Sequence, residues 1–488
     1  MENLTLFKIL KTFTKVEMKE LRKFVNSPVF NNRNEVIKYY EVLNSYHKKI
    51  LQKKITQIQI WNSLYPNKKY SESSSEKLKK LNSFLLQVIY KYLSYKGITT
   101  DDFYLKQSLV VKLNEKGKFE LSKKHLELLD EEYRFIKSDA SNFFWKKFQI
   151  EQDRASGYTY SGEDHLASEA LQNRARYFIH HTILTSSSVF INLFINEMNF
   201  NTDNSISGYY EFFDNLKFEK SLNKMRKSRD EFYYVSAIYY FQAMALRNLK
   251  EKSYYENFRN LLYKYGNRFS YIDRINFYSI LQAICTLKTE SGIKEYEEEL
   301  FNAYSEMLKQ DLISINEGGY FMVKLFRNFI QTGVLLKRYD WIESLIKNYS
   351  HRLPPESKDS LLNLTEALIL FEREKFDKSL EKLSLINYDI FHFKIDLKLL
   401  QLRNFIELEY INEAYSLIDT FKHFISGNKF ISNRYRDKLR KFLLIISKYI
   451  KLKEKKDTTG LNFLLKEISS NELGLYNDWI KEKIKNAG

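Results

Sequence analysis

Lys375-Phe376-Asp377-Lys378-Ser379-Leu380-Glu381-Lys382-Leu383 and Tyr410-Ile411-Asn412-Glu413-Ala414-Tyr415-Ser416-Leu417-Ile418 lie 35 residues apart and repeat one pattern. The same shift superposes Trp341, Phe376 and Ile411, and the small residues Ser344, Ser379 and Ala414. One helix earlier it superposes Phe329, Leu364 and Leu399, then Leu335, Leu370 and Phe405, then Leu336, Phe371 and Ile406. Self-similarity at a fixed period of roughly 20–50 residues marks a chain built from stacked supersecondary units. Here each unit reads as two helices.

These residues resemble the tetratricopeptide repeat, in which an aromatic followed by a small residue marks where the second helix of a pair crosses the first. The likeness covers about residues 325–425; the period is 35 rather than the family's 34, and the helix-closing proline is missing. Pairs at 231–265, 271–309 and 433–470 share the pattern only. The resemblance implies an α-solenoid whose groove is lined by the first helix of each pair and takes a peptide or helix of a partner. The polar first-helix positions that recur at this spacing are Asn328, Asn363 and Lys398, and Gln331, Glu366 and Gln401. They are the candidate partner contacts.

Composition supports an all-α reading of the whole chain. Fourteen glycines and four prolines in 488 residues are too few for the corners of a sandwich, a barrel or a many-stranded α/β enzyme. The length predicts about three domains or one extended array. We divide it into a basic, compact helical N-terminal domain over 1–98, a helical linker or spine over 99–230, and the helical-repeat array over 231–488. Breaks are expected near Glu115 to Lys118, Ser156 to Gly162 and Asn199 to Gly208, with one long spine helix over Glu163 to Asn196, apolar on most sides.

In the first domain, Thr14-x-x-Glu17 is a capping box that opens a helix through Val25, closed by Ser27-Pro28. A second helix is predicted from Asn34 to Leu51, a third from the box Thr56-x-x-Gln59, and a fourth over Lys77 to Tyr95 behind the box Ser73-x-x-Glu76, ending at Gly97 to Thr100. Phe24-Val25-Asn26-Ser27-Pro28-Val29-Phe30-Asn31 and Leu64-Tyr65-Pro66-Asn67-Lys68-Lys69-Tyr70 are similar to the opening of a group of uncharacterised bacterial proteins, which brings no activity with it.

The formal charge of +17 is concentrated at this end: residues 1–100 hold 19 Lys/Arg against 7 Asp/Glu, residues 101–230 hold 19 against 20, and the remainder 40 against 34. Such a module invites comparison with a helix-turn-helix, with Lys77, Lys79 and Lys80 at the start of a recognition helix. Only Arg22 and Arg33 stand among the lysines, however, and phosphate readers favour arginine's bidentate fork. A solvated lysine surface is the plainer reading.

Catalytic signatures are absent from the sequence. There is no Gly-x-x-x-x-Gly-Lys-Ser/Thr, Gly-x-Gly-x-x-Gly or Gly-x-Ser-x-Gly pattern. The lone Cys285 sits in an apolar run, where a buried, inert thiol is expected, and one cysteine excludes an internal disulfide and Cys-based zinc sites. His180-His181 points two rings to different sides of a helix, as core histidines do; His165 and Glu169 share a face but supply only two ligands. The uncharged run Tyr177 to Asn196 holds nine His, Ser, Thr or Asn in twenty residues, which a lipid-facing helix would have to bury, so it is expected inside protein. Aromatic clusters such as Phe143-Phe144-Trp145 are expected in the core.

The sequence therefore leads us to expect a cytoplasmic, non-enzymatic scaffold or adaptor without cofactor or metal, binding another protein or peptide. The alternative is a DNA-binding regulator that contacts nucleic acid through 1–98. Oligomeric state is not readable.

Overall fold

The computed structural model describes residues 4–52, 55–136, 139–200, 202–203, 208–386, 391–428, 431–468 and 476–487. Among them are helices and turns and no strand, so the chain is all-α. It divides into two compact units: 1–132 with 152–169, and 133–151 with 170–488.

The first unit contains α1 (Thr5–Leu10), α2 (Lys15–Val25), α3 (Asn34–Ser45), α4 (His47–Leu51), α5 (Gln57–Leu64), α6 (Glu72–Thr100), α7 (Phe103–Glu115) and α8 (Phe119–Glu132). Both predicted threonine capping boxes form, at Thr14/Glu17 and Thr56/Gln59. Three expectations need correction. The second helix breaks at Tyr46, whose backbone leaves the helical region. The fourth begins a turn early, because Ser71 caps it with Ser74 in place of Ser73 with Glu76. That helix also runs through Gly97 to Thr100 with no boundary there.

The core of this unit is aromatic and aliphatic, with Phe7, Leu21, Tyr39, Tyr40, Leu85 and Ile89 almost fully covered. The Phe24-to-Asn31 motif has a structural job: Phe24 stacks on Phe30 at 3.9 Å, and the Asn31 amide donates to the Val25 carbonyl at 2.9 Å. In the second motif the Trp61 indole pins the turn by donating to the Lys68 carbonyl at 2.8 Å.

α9 (Ala140–Ser161) and α10 (Asp164–Phe200) follow. α9 continues through the expected break at 156, and the chain turns at Gly162 with φ +77°. The long helix expected at 163–196 is α10, apolar on most sides as expected but buried along one. One row of side chains is buried (His180, Ile183, Leu184, Ser187, Phe190, Ile191) while Phe178, Ile179 and Val189 face out. By length and composition α10 could cross a membrane, and 33% of its apolar window is buried.

The second unit continues with α11 (Tyr209–Asn215), α12 (Phe218–Lys227), α13 (Tyr233–Arg247), α14 (Lys252–Tyr265), α15 (Tyr271–Glu290), α16 (Glu295–Lys309), α17 (Val323–Leu335) and α18 (Tyr339–Tyr349). Then come α19 (Pro355–Glu372), α20 (Phe376–Ser384), α21 (Phe391–Glu407), α22 (Ile411–Gly427), α23 (Asn433–Glu454), α24 (Thr458–Glu467) and α25 (Asn477–Ala487). Residues 469–470 of the last expected pair, and part of the expected break at 199–208, lie outside the described residues.

Successive helices pack as hairpins, and one turn recurs. Lys337, Glu374, Glu409 and Lys456 adopt φ of 54°, 57°, 58° and 52°. The next residue's N–H reaches back to the carbonyl five positions earlier: Arg338 to Gly333 at 2.8 Å, Lys375 to Leu370 at 2.9 Å, Tyr410 to Phe405 at 2.8 Å and Asp457 to Leu452 at 3.0 Å. This is a Schellman closure, normally built on glycine. Here charged residues take the left-handed position, which is how the hairpins close with so few glycines.

These turns correct the sequence superposition. The left-handed residues of the first three hairpins are 37 and then 35 apart, so Tyr339, not Trp341, stands where Phe376 and Ile411 stand at the start of the second helix.

Candidate functional site

A cavity of about 740 Å³ lies within the second unit. One wall is α17. Phe326, Phe329, Ile330 and Gly333 bury one side of this helix; a Cβ on Gly333 would stand 2.8 Å from Ile342 Cγ1, so the α17 backbone lies directly against the Ile342 side chain of α18. The opposite side presents Lys324, Asn328, Gln331 and Leu335, spaced four, three and four residues apart, as one row along the lumen. α23 supplies a second row with Tyr435, Lys438, Leu439 and Phe442, and the end of α10, α15, α16, α21, the residues just before α23, Tyr476 and α25 complete the lining.

Ion pairs between helices distant in sequence enclose this space. Arg327 on α17 grips both carboxylate oxygens of Asp396 on α21, and the Gln331 amide donates to the same carboxylate at 3.3 Å. Burial pulls the Arg327 guanidinium down, but the Asp396 hydrogen bonds outweigh it and drive the group above its usual range. Glu290 at the end of α15 accepts from Lys438 at 2.8 Å and Arg434 at 2.5 Å on α23. Lys294 meets Asp478 on α25 at 2.7 Å. These contacts bring α23 and α25 back against α15 and the start of α16.

Burial pushes the Tyr476 phenol up to about 12 and raises Tyr435 further, so both hydroxyls are neutral donors at physiological pH. The lumen mixes apolar wall with a few placed polar groups, and its volume falls within the roughly 300–1,000 Å³ of ligand pockets.

Of the six partner-contact candidates, Asn328 and Gln331 line this cavity. Asn363, Glu366, Lys398 and Gln401 do not. Glu366 pairs with Lys382 at 2.8 Å, and the Lys398 ammonium lies 5.9 Å from the Phe421 ring with burial lowering its pKa. The 35-residue shift carries a position to α19 and α21, but no α19 residue lines the cavity.

Sequence reasoning missed Arg327, Asp396, Glu290, Lys438, Tyr435 and Tyr476. A signal existed for the first two: opposite charges 69 residues apart, close to twice the shift. Among the nucleic-acid candidates, Lys77 is engaged, 3.0 Å from Glu35 and 4.7 Å from the Tyr65 ring centroid, while Lys79 and Lys80 are exposed.

The second unit also holds a serine, a histidine and an aspartate in hydrogen-bonded order. His180 Nδ1 lies 2.7 Å from Ser236 Oγ, and Nε2 lies 3.3 Å from Asp230 Oδ2. A carboxylate only accepts, so Nε2 donates to it and the serine hydroxyl donates to Nδ1. This is the connectivity of a hydrolytic triad. Ser236 and His180 are fully covered, with Phe144 stacked on the imidazole at 4.7 Å, so the hydroxyl is not offered to a substrate. Arg176 clamps Asp230 through two hydrogen bonds of 2.7 and 3.0 Å, and the cluster joins α10 to α13. His181, turned the other way as expected, bonds Ser141.

Cys285 is buried, its sulfur 3.4 Å from the Tyr255 hydroxyl, and burial pushes the thiol up to about 12. No group of three or more His, Cys, Asp or Glu able to hold a metal occurs among the described residues. No protein-family model, curated protein or solved structure matches the chain.

Proposed function

We propose that the chain is a non-enzymatic, cytoplasmic adaptor that binds a segment of another protein in the lumen of its second unit. The observation that carries this reading is the 740 Å³ cavity walled by α17, where two positions chosen from the repeat pattern, Asn328 and Gln331, stand beside apolar Leu335 and Phe442. The hairpins closed by one recurring turn support a tetratricopeptide-like array, and such arrays carry their ligand surface on first helices.

The test is affinity capture of the tagged chain from its native cells, nuclease-treated, beside the same capture with Leu335→Trp, which puts a bulky ring into the lumen beside Gln331. A near-stoichiometric protein held by the wild type and released by the variant is the expected result. Equal capture by both would remove the lumen from the reading. Bound material lost to nuclease would instead favour a DNA-binding regulator acting through residues 1–98, where the charge excess lies.

A further inference from the structure

The lumen is lined by four cationic and four anionic side chains, and six of them neutralise one another in the pairs Arg327–Asp396, Lys438–Glu290 and Lys294–Asp478. Lys324 and Glu297 remain. Neither makes an ion pair with a described residue, and burial raises the Glu297 carboxyl by more than nearby Lys294, itself paired with Asp478, lowers it.

The two stand at opposite ends. α16 and α17 run antiparallel, with Glu298 3.1 Å from Arg338 just past the end of α17, and the Tyr304 ring 4.2 Å from that of Phe329 in its middle. Glu297 therefore lies at the Leu335 end of the row that Lys324 begins, and at about 1.5 Å per helical residue the separation is on the order of 16 Å.

Between them, the chemistry of the neighbours fixes the orientation of two side-chain amides. Arg327 only donates, and at 3.0 Å it takes the Asn328 oxygen, which leaves the Asn328 NH₂ free. Asp396 only accepts, and it takes the Gln331 NH₂, which leaves the Gln331 carbonyl free. One donor and one acceptor, three residues apart on one row, match the C=O and N–H of a peptide backbone.

Building on the protein-segment reading above, we propose that the lumen holds an extended peptide stretch of about five residues, at about 3.3 Å per residue, with no net charge. Its basic group meets Glu297, its acidic group meets Lys324, and backbone amides between them meet Asn328 and Gln331.

Three capped pentapeptide libraries with randomised middle positions test this by equilibrium dialysis against the full chain. One carries lysine at one end and glutamate at the other, one lysine at both ends, one glutamate at both. The mixed library should be retained at least about tenfold over the others, because each doubly like-charged peptide sets one end against a like charge. Glu297→Lys should transfer the preference to the doubly acidic library, and Lys324→Glu to the doubly basic one. Lys324 holds no ion pair with a described residue, so Lys324→Glu should keep the wild-type melting temperature, whereas Glu297→Lys puts a cation in the first turn of α16 beside Lys294 and should lower it slightly, so its transferred preference is read on the folded protein well below that temperature. Equal retention of the three libraries, or no transfer of preference, overturns the inference and leaves the protein-segment reading standing. Retention of none by the wild type overturns both.

Discussion

Asp230 shows how much can rest on one carboxylate. Its own burial raises its pKa, and the hydrogen bonds from His180 and Arg176 outweigh that, holding the group below the usual carboxylate range. A depressed folded pKa contributes stability that is complete above the unfolded value near 4 and is lost as pH falls below it. Asp230→Asn should therefore cost about 3 kcal/mol at pH 7, the lower side of breaking a buried pair because Arg176 is partly exposed. The gap between variant and wild type should close as the pH is lowered below about 4. Thermal unfolding at neutral and acidic pH reads both numbers, and a pH-independent gap would refute the ionic account.

Cys285 yields a second expectation from the same physics. A thiol raised to about 12 and covered on all sides is neither ionised nor reachable. Iodoacetamide should leave the folded chain unlabelled and modify it fully in guanidinium. Rapid labelling of the native protein would contradict its placement.

The first two hairpins make room between their helices with small residues in different places. In the first, Gly333 on α17 lies against the Ile342 side chain of α18. In the second, Ser379 on α20 donates to the Ala367 carbonyl of α19 at 2.8 Å. Gly333→Leu should destabilise by about 3 kcal/mol through overpacking against Ile342. Adding Ile342→Ser should recover a substantial part, with a coupling above about 1 kcal/mol in a double-mutant cycle by urea unfolding. Additive effects would show that the two positions do not share the gap.

The turns and caps also explain what could be read in advance. Helices announced themselves through apolar spacing and through Thr14 and Thr56, whose hydroxyls cap regardless of what packs around them. The register between hairpins was misjudged by two residues because the left-handed turn positions are Lys337 and Glu374, which carry no glycine signal. Asn328 and Gln331 were readable because both lie on the polar row of one helix. Asp396 and Glu290 were not, since a wall assembled from separate helices has no linear pattern.

The lumen as a whole depends on charges brought together across 69, 144 and 184 residues of chain. Glu290 sits at the junction, serving Arg434 and Lys438 at once. All three are partly solvated, so Glu290→Ala should lower global stability by only about 1 kcal/mol. Its larger effect should be local, as faster amide exchange at the start of α23 by hydrogen–deuterium exchange. Unchanged exchange there would mean that apolar packing alone seats that helix.

Since the cavity's walls come from positions between Asn199 and Asp478, no product of translation that stops short of Asp478 contains all of it. Until α23 and α25 have been made, α17 shows its polar row to open solvent. Their arrival puts a second wall across that exposed trough. A ligand met during synthesis is wrapped by the arriving chain, whereas one met afterwards must find a way between walls already in place. On the proposed reading, the order in which residues are made would thus become part of how a partner segment is taken up.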